Sequence, residues 1–128
     1  YKPDLLMIGG ISNKDGVEPI RSVIKQVRKN RPETEIMLMT GVFGKNQDPK
    51  KIKGWSSKIN PNGNGYRSQL KRLAAEEKVE FLDMRGIWGQ YILNSKHPCG
   101  SFMRNPVHAN ERGQQILGRI LEKFFTPK

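Results

Sequence analysis

Apolar residues follow two different patterns along this chain, and the two patterns alternate. Short continuous apolar runs, which are typical of buried strands, occupy three segments. These segments are residues 4–9, 35–41 and 79–83. Apolar residues that recur every three or four positions, with polar residues between them, predict helices. The helices are expected over residues 17–30, 66–78, 86–94 and 111–125.

The order of these elements predicts the fold class. Strands that are apolar throughout and that alternate with helices are typical of a parallel sheet covered by helices on both faces. A length of 128 residues suits one compact domain, and the sequence contains no repeat or internal boundary. We therefore expect a single α/β domain over residues 1–128.

A long segment before the second helix follows neither the apolar pattern of strands nor that of helices. Residues 45–65 are rich in Gly, Pro, Asn and Lys, and a loop of this length is usually functional or disordered. The net charge of +11, together with the rings of Trp55 and the adjoining Tyr66, raises the question of a nucleic-acid groove. Because the cations are spread along the whole chain, a solvated basic loop is favoured, and no nucleic-acid partner is predicted.

Composition disfavours several other kinds of site. No apolar run approaches the roughly 20 residues of a membrane-spanning helix, so no membrane partner is predicted. Cys99 is the single cysteine, which makes an internal disulfide impossible, and we expect it to be an incidental small side chain in a loop. His97 and His108 are the only histidines and have no carboxylate at ligand spacing, so neither a metal nor a cofactor is predicted.

Chemistry is expected at the carboxyl edge of the sheet, where ligands bind in open parallel sheets. Four segments are expected to converge there: "GGISN" (9–13), "TGVFG" (40–44), "DMRG" (83–86) and "NPVH" (105–108). Each segment also has a purely structural interpretation. Ser12 or Asn13 could cap the first helix, Asp83 could cap the third, and His108 could bond only the backbone of its own turn.

Two stretches of the sequence resemble blocks of the SGNH/GDSL hydrolases. They are "PDLLMIGGISN" (3–13), which is followed by a helix, and "NPVHANERGQQILGRIL" (105–121). The second is the more specific, because "VHAN", the glycine and the apolar helix recur in the family's order. The family consists of serine esterases with a flavodoxin-like, three-layer fold. The resemblance implies that the chain is the C-terminal portion of such a domain, without its N-terminal strand or strands.

The resemblance also implies roles for individual residues. His108 would be the general base, which takes a proton from a serine and later gives it to the leaving alcohol. The backbone N–H of Gly10, with the side chain of Asn13 or Ser12, would stabilise the oxyanion. The substrate would be an ester, with acyl or acetyl groups on carbohydrate as the candidate. A bacterial, secreted or periplasmic protein is the corresponding expectation, although the sequence leaves the compartment open.

Two departures from the family pattern shape these expectations. The Gly-Asp-Ser block that carries the nucleophile is not found, so the serine is expected to come from a segment upstream of Tyr1, and this chain alone is expected to be inactive. The family's Asp three residues before the histidine is Asn105, which cannot stabilise the charged imidazole as a carboxylate does.

One further expectation concerns a protein partner, and another concerns an alternative function. An N-terminal fragment of the same protein, or a second copy, is expected to pair with the open edge of strand 4–9, which carries no charge after Asp4. The alternative function is a non-catalytic module with a hydrolase-like fold, in which the basic loop 45–65 holds a carbohydrate or anionic ligand.

Overall fold

A computed structural model of the protein describes residues 2–9 and 16–127. The strands are β1 (Leu5–Gly9), β2 (Glu35–Met39) and β3 (Glu80–Leu82). The helices are α1 (Glu18–Asn30), α2 (Tyr66–Glu77), α3 (Met84–Asn94) and α4 (Glu111–Phe125), and a 3₁₀ turn covers Cys99–Phe102. The chain divides into two compact units. Unit 1 comprises residues 1–41 and 59–83, and unit 2 comprises residues 42–58 and 84–128.

Unit 1 contains a three-stranded parallel sheet in the order β1-β2-β3. The register places Met7 beside Met37 and Leu38 beside Phe81, so β2 is the central strand. Each pair of neighbouring strands is connected through a segment that contains a helix, as parallel strands require. The expected α/β class with a parallel sheet is confirmed.

The core of unit 1 lies on one face of this sheet. Ile36 and Leu38 are two residues apart in β2, so their side chains point to the same face. Both are buried in one cluster with apolar side chains of α1 and α2. The helical members of the cluster are Ile20, Ile24, Leu70, Leu73 and Ala74. This packing fixes β2, and with it the position of the residues that follow its carboxyl end.

The core of unit 2 is rich in aromatic rings. Phe43, Trp88 and Phe102 are almost completely buried, and the Trp88 and Phe102 rings meet edge to face, with centroids 5.9 Å apart. Ile116 and Leu117 of α4 pack against this cluster but remain half-buried. The core therefore joins α3, the 3₁₀ turn and the first half of α4.

The boundaries of two helices bear on the expectations. Helix α1 begins at Glu18 with Val17 as its N-cap, while Ser12 and Asn13 lie outside the described residues. Helix α3 begins at Met84, two residues earlier than expected, and β3 is correspondingly short. None of the helices formed by the described residues is long and apolar enough to cross a membrane.

Cys99 was expected to be an incidental loop residue, and this is wrong. Its side chain is fully buried in the core of unit 2, and its thiol lies 3.6 Å from the carbonyl oxygen of Gly44. Burial raises the pKa of the Cys99 thiol, and the negative charge of Asp48 adds to the rise. Cys99 is thus a core residue.

Candidate functional site

The turn that carries His108 is organised by one side-chain oxygen. Asn105 Oδ1 accepts hydrogen bonds from the backbone N–H of Val107 at 2.9 Å and from that of His108 at 2.8 Å. The same oxygen lies 3.1 Å from His108 Nδ1. Because two backbone donors require an acceptor at this position, they fix which end of the Asn105 amide faces the imidazole.

This geometry selects one tautomer of the neutral histidine. An amide oxygen only accepts hydrogen bonds, so the proton of the imidazole lies on Nδ1. Nε2 is then the basic nitrogen, and it has no hydrogen-bond partner among the described residues. An exposed imidazole oriented in this way is able to accept a proton from a group outside the turn.

Backbone hydrogen bonds hold the two ends of the turn together. Met103 and Ala109 form an antiparallel bridge, and the Arg104 N–H donates to the His108 carbonyl at 2.9 Å. Asn110 then caps α4, because its side chain accepts from the Gly113 N–H at 3.0 Å. The turn is therefore anchored directly to the start of the last helix.

Gly113 makes this anchoring possible. A β-carbon at Gly113 would overlap with the carbonyl oxygen of Phe102, so only glycine lets α4 approach the 3₁₀ turn so closely. The Asn110 N–H donates to that same carbonyl oxygen at 3.0 Å. The motif "HANERG" thus has a structural reason for its asparagine and for its glycine.

Within unit 2, the end of the "TGVFG" segment meets the histidine turn. The Lys45 N–H donates to the Pro106 carbonyl oxygen at 3.1 Å. Arg85, from the "DMRG" segment, lies over the Phe43 ring at 3.8 Å from its centroid, and its guanidinium is 3.5 Å from the Val42 carbonyl oxygen. Parts of three predicted segments are therefore neighbours in this unit.

Within unit 1, a polar cluster follows the carboxyl ends of β2 and β3. Thr40 Oγ1 donates to Asp83 Oδ1 at 3.3 Å, and Arg67 Nε donates to the same oxygen at 2.8 Å. A second guanidinium nitrogen of Arg67 pairs with Asp83 Oδ2. Arg67 was not predicted as part of a site, because a residue in α2 shares no spacing signal with an aspartate after β3.

The predicted oxyanion residues Gly10, Ser12 and Asn13 lie outside the described residues. Their roles, and their expected proximity to His108, therefore stay predictions. The roles of His108 and Asn105 in a reaction stay predictions as well, although the contact between these two side chains is established.

The basic loop 45–65 contains no helix or strand, as expected. Asp48 is buried and holds its first part, because its carboxylate accepts from the N–H groups of Lys50 at 2.9 Å and Cys99 at 3.2 Å. Trp55 packs edge-on against Phe43, with centroids 5.4 Å apart, and Tyr66 packs against the core of unit 1. Both rings are therefore partly buried by packing, and the binding-module alternative stays a prediction.

The described residues contain no group of three or more His, Cys, Asp or Glu side chains that could hold a metal ion. The other histidine, His97, is exposed in the loop after α3 and packs edge-on against Phe102 at a centroid distance of 6.4 Å. His97 lies outside the turn that contains Asn105 and His108, and its ring contact is with Phe102 and not with that pair.

Comparison with known proteins gives a likeness in fold. A solved structure described as a "putative GDSL-like lipase" from Parabacteroides merdae ATCC 43184 is similar to this chain, with a TM-score of 0.66 and 17% sequence identity. The match covers 96% of this chain, and the chain spans 60% of that protein. At this identity the likeness shows a GDSL-like α/β fold alone. No family model matches the sequence, and no curated protein sequence matches it significantly.

Proposed function

We propose that this chain is the C-terminal portion of a serine ester hydrolase domain of the SGNH/GDSL type, with His108 as its general base. The observation that carries the proposal is the contact of 3.1 Å between Asn105 Oδ1 and His108 Nδ1, which leaves Nε2 as the proton acceptor. The GDSL-like fold and the span of 60% of the related chain also support it.

The proposed reaction begins with a serine hydroxyl supplied by a segment upstream of Tyr1. His108 Nε2 takes the hydroxyl proton while the serine oxygen attacks the ester carbonyl, and the carbonyl π electrons move to its oxygen. The Gly10 N–H and the side chain of Asn13 or Ser12 stabilise this oxyanion. The intermediate collapses, the alcohol leaves with the proton from His108, and water releases the acid by the same two steps.

Asn105 sets the expected strength of this base. It orients the imidazole and fixes the tautomer, which are two of the functions of the usual aspartate. It does not supply the negative charge that stabilises the protonated imidazole. The proposed enzyme is therefore a slow esterase that acts on acyl or acetyl groups of a carbohydrate. Asn105 orients its catalytic base but provides no negative charge to stabilise the protonated form of that base.

The proposed partner is an N-terminal fragment of the same protein that pairs along β1. Among the described strands, β1 pairs only with β2, so one edge of β1 is left open. Leu5 and Met7 on this strand are 36% and 39% exposed, respectively. A fragment that covers this edge would also be the source of the serine.

The test compares these 128 residues with the longest natural polypeptide that contains them, which is called the longer product below. Each is assayed with p-nitrophenyl acetate and an acetylated xylo-oligosaccharide, and serines are labelled with a fluorophosphonate and located by mass spectrometry. We expect hydrolysis and one labelled serine in the longer product, and neither in the 128-residue chain.

The matched variants are His108→Gln, which removes the base, and Val107→Ala, which changes an exposed side chain of the same turn. We expect His108→Gln to abolish hydrolysis and Val107→Ala to retain it. Hydrolysis that survives His108→Gln, or a longer product with no activity on either ester, would overturn the proposal.

A further inference from the structure

A pocket in unit 2 has no role in the proposed reaction. It has a volume of about 350 Å³ and lies between α3 and α4, where Tyr91, His97 and Phe102 form one wall. Arg112, Gln115 and Arg119 of α4 form another part of the lining. Neither Asn105 nor His108 lines this pocket.

The aromatic wall is fixed by a buried ring. Phe102 is only 1% exposed, and the Tyr91 ring meets it edge to face, with centroids 5.6 Å apart and planes at 75°. His97 meets the same ring at 6.4 Å and 81°. Tyr91 remains 43% exposed, so the wall presents a rigid ring with a hydroxyl group to solvent.

The second group of side chains contains two arginines that form no ion pair with any other described residue. Positions 112, 115 and 119 are three and four residues apart, which places them on one face of α4. The ion pairs among the described residues involve Arg21, Arg28 and Arg67, not Arg112 or Arg119. Even Glu122, one turn beyond Arg119 on the same helix, makes no ion pair with it. The pocket therefore combines an aromatic wall with two guanidinium groups that are not paired within the described part of the chain.

We propose that this pocket binds a sugar ring that carries a phosphate, sulfate or carboxylate group. Guanidinium groups bind such oxyanions with paired hydrogen bonds. The Tyr91 ring offers a surface for the apolar face of the sugar, and Gln115, His97 and the Tyr91 hydroxyl offer hydrogen bonds to its hydroxyl groups. The volume suits a ligand of one ring, since small-molecule sites begin at about 300 Å³. This proposal does not depend on the esterase reaction.

The proposal is tested by calorimetric titration of the full chain with four probes. They are glucose 6-phosphate, glucose, inorganic phosphate and adenosine monophosphate. We expect saturable binding of glucose 6-phosphate, at least about tenfold tighter than that of glucose or inorganic phosphate, because ring and anion contacts act together. We also expect this binding to weaken as salt is added.

Two variants and one control separate the contributions. The double variant Arg112→Gln with Arg119→Gln should weaken glucose 6-phosphate binding by about tenfold or more, while Lys123→Gln, which removes a charge from the same helix, should not. Tyr91→Leu should reduce glucose 6-phosphate binding to the level of inorganic phosphate. Thermal melts of each variant check that the fold is retained.

Three results would overturn the proposal. One is the lack of saturable binding at millimolar concentrations of glucose 6-phosphate. Another is equal affinity for inorganic phosphate, which would indicate general attraction to a basic surface. The third is tighter binding of adenosine monophosphate, which would identify a site for a nucleobase rather than for a sugar.

Discussion

Gly44 lies so close to Pro106 that a β-carbon at position 44 would overlap with the Pro106 carbonyl oxygen. The N–H of the next residue, Lys45, donates to this same oxygen at 3.1 Å. One carbonyl group thus joins two segments that are far apart in the sequence. Pro106, which lies in the turn that carries His108, is held in place by this contact.

The Gly44→Ala substitution tests whether this contact positions the turn. The added methyl group must push Pro106 away, and we expect a loss of about 1–3 kcal/mol in the free energy of unfolding, as for other overpacked sites. Urea denaturation measures the loss, and the NMR signals of the His108 ring should shift. Gly41→Ala is the control, because no atom of the described residues lies within 4 Å of a β-carbon there. Equal stability of the two variants would show that the turn yields without cost.

The pattern of apolar residues predicted the three strands and the four α-helices that the structure describes, although not all of their boundaries and not the 3₁₀ turn. Strand β2, for example, was predicted because every residue from Ile36 to Met39 is apolar. Its parallel pairing on both sides was expected from the alternation of strands with helices, and it is confirmed. These features depend on local sequence, which is why a single sequence reveals them.

Contacts between distant residues could not be predicted in the same way. Asp48 appeared as the only acid in a basic loop, yet it is 6% exposed and ties that loop to the N–H of Cys99. Helix α4 was predicted from its recurring apolar residues, but Phe125 at its end is 50% exposed. Neither result has a periodic signal, because burial depends on which segments approach one another.

In the candidate site, too, contacts within one turn were predictable from the sequence, whereas contacts between distant segments were not. The likeness of "NPVH" to a catalytic block pointed to Asn105 and His108, and their side chains are indeed in contact at 3.1 Å. The pairing of Arg67 with Asp83 was not predicted, since it joins a helix to the residue after a strand. A motif reveals residues that act within one turn, but it does not reveal partners that the fold supplies.

The buried thiol of Cys99 should make stability fall at alkaline pH. Burial, with the charge of Asp48, raises the thiol pKa above its ordinary value of 9.0 in the folded state. The unfolded chain therefore loses its proton first, and the free energy of unfolding should decrease as pH rises above 9.0. Below this pH both states are protonated, and the group contributes no pH dependence.

Chemical denaturation between pH 8 and pH 10 measures this decrease in the free energy of unfolding. This range extends roughly one pH unit on either side of the ordinary thiol pKa. Cys99→Ala and Cys99→Ser should both remove the decrease near pH 9, because neither side chain titrates. Tyr66→Phe should retain it, since burial raises the pKa of Tyr66 above its ordinary 10.0 and its own effect begins at higher pH. A decrease that persists in both Cys99 variants would assign it to another group.

Asn105→Asp should increase the esterase activity of the longest natural polypeptide that contains this chain. The carboxylate would retain the contact with Nδ1 and add the charge that stabilises protonated His108. In serine proteases the reverse change lowers turnover by about 10⁴-fold, so we expect a rise of at least about tenfold here. The rate of p-nitrophenyl acetate hydrolysis gives the comparison, and Asn105→Ala should lower it. An unchanged rate in the Asp variant would mean that the charge is supplied elsewhere or is not needed.

The open edge of β1 should prevent the 128-residue chain from existing as an isolated monomer. Unpaired N–H and C=O groups on an uncharged strand attract further strands. We expect light scattering and intact-mass analysis to detect a second copy or a bound N-terminal fragment, and a single monomeric species at high micromolar concentration would refute this. Met7→Lys places a charge on the exposed strand and should release the partner. Val23→Lys, at a similarly exposed position of α1, should leave the association unchanged, because it adds the same charge away from the edge.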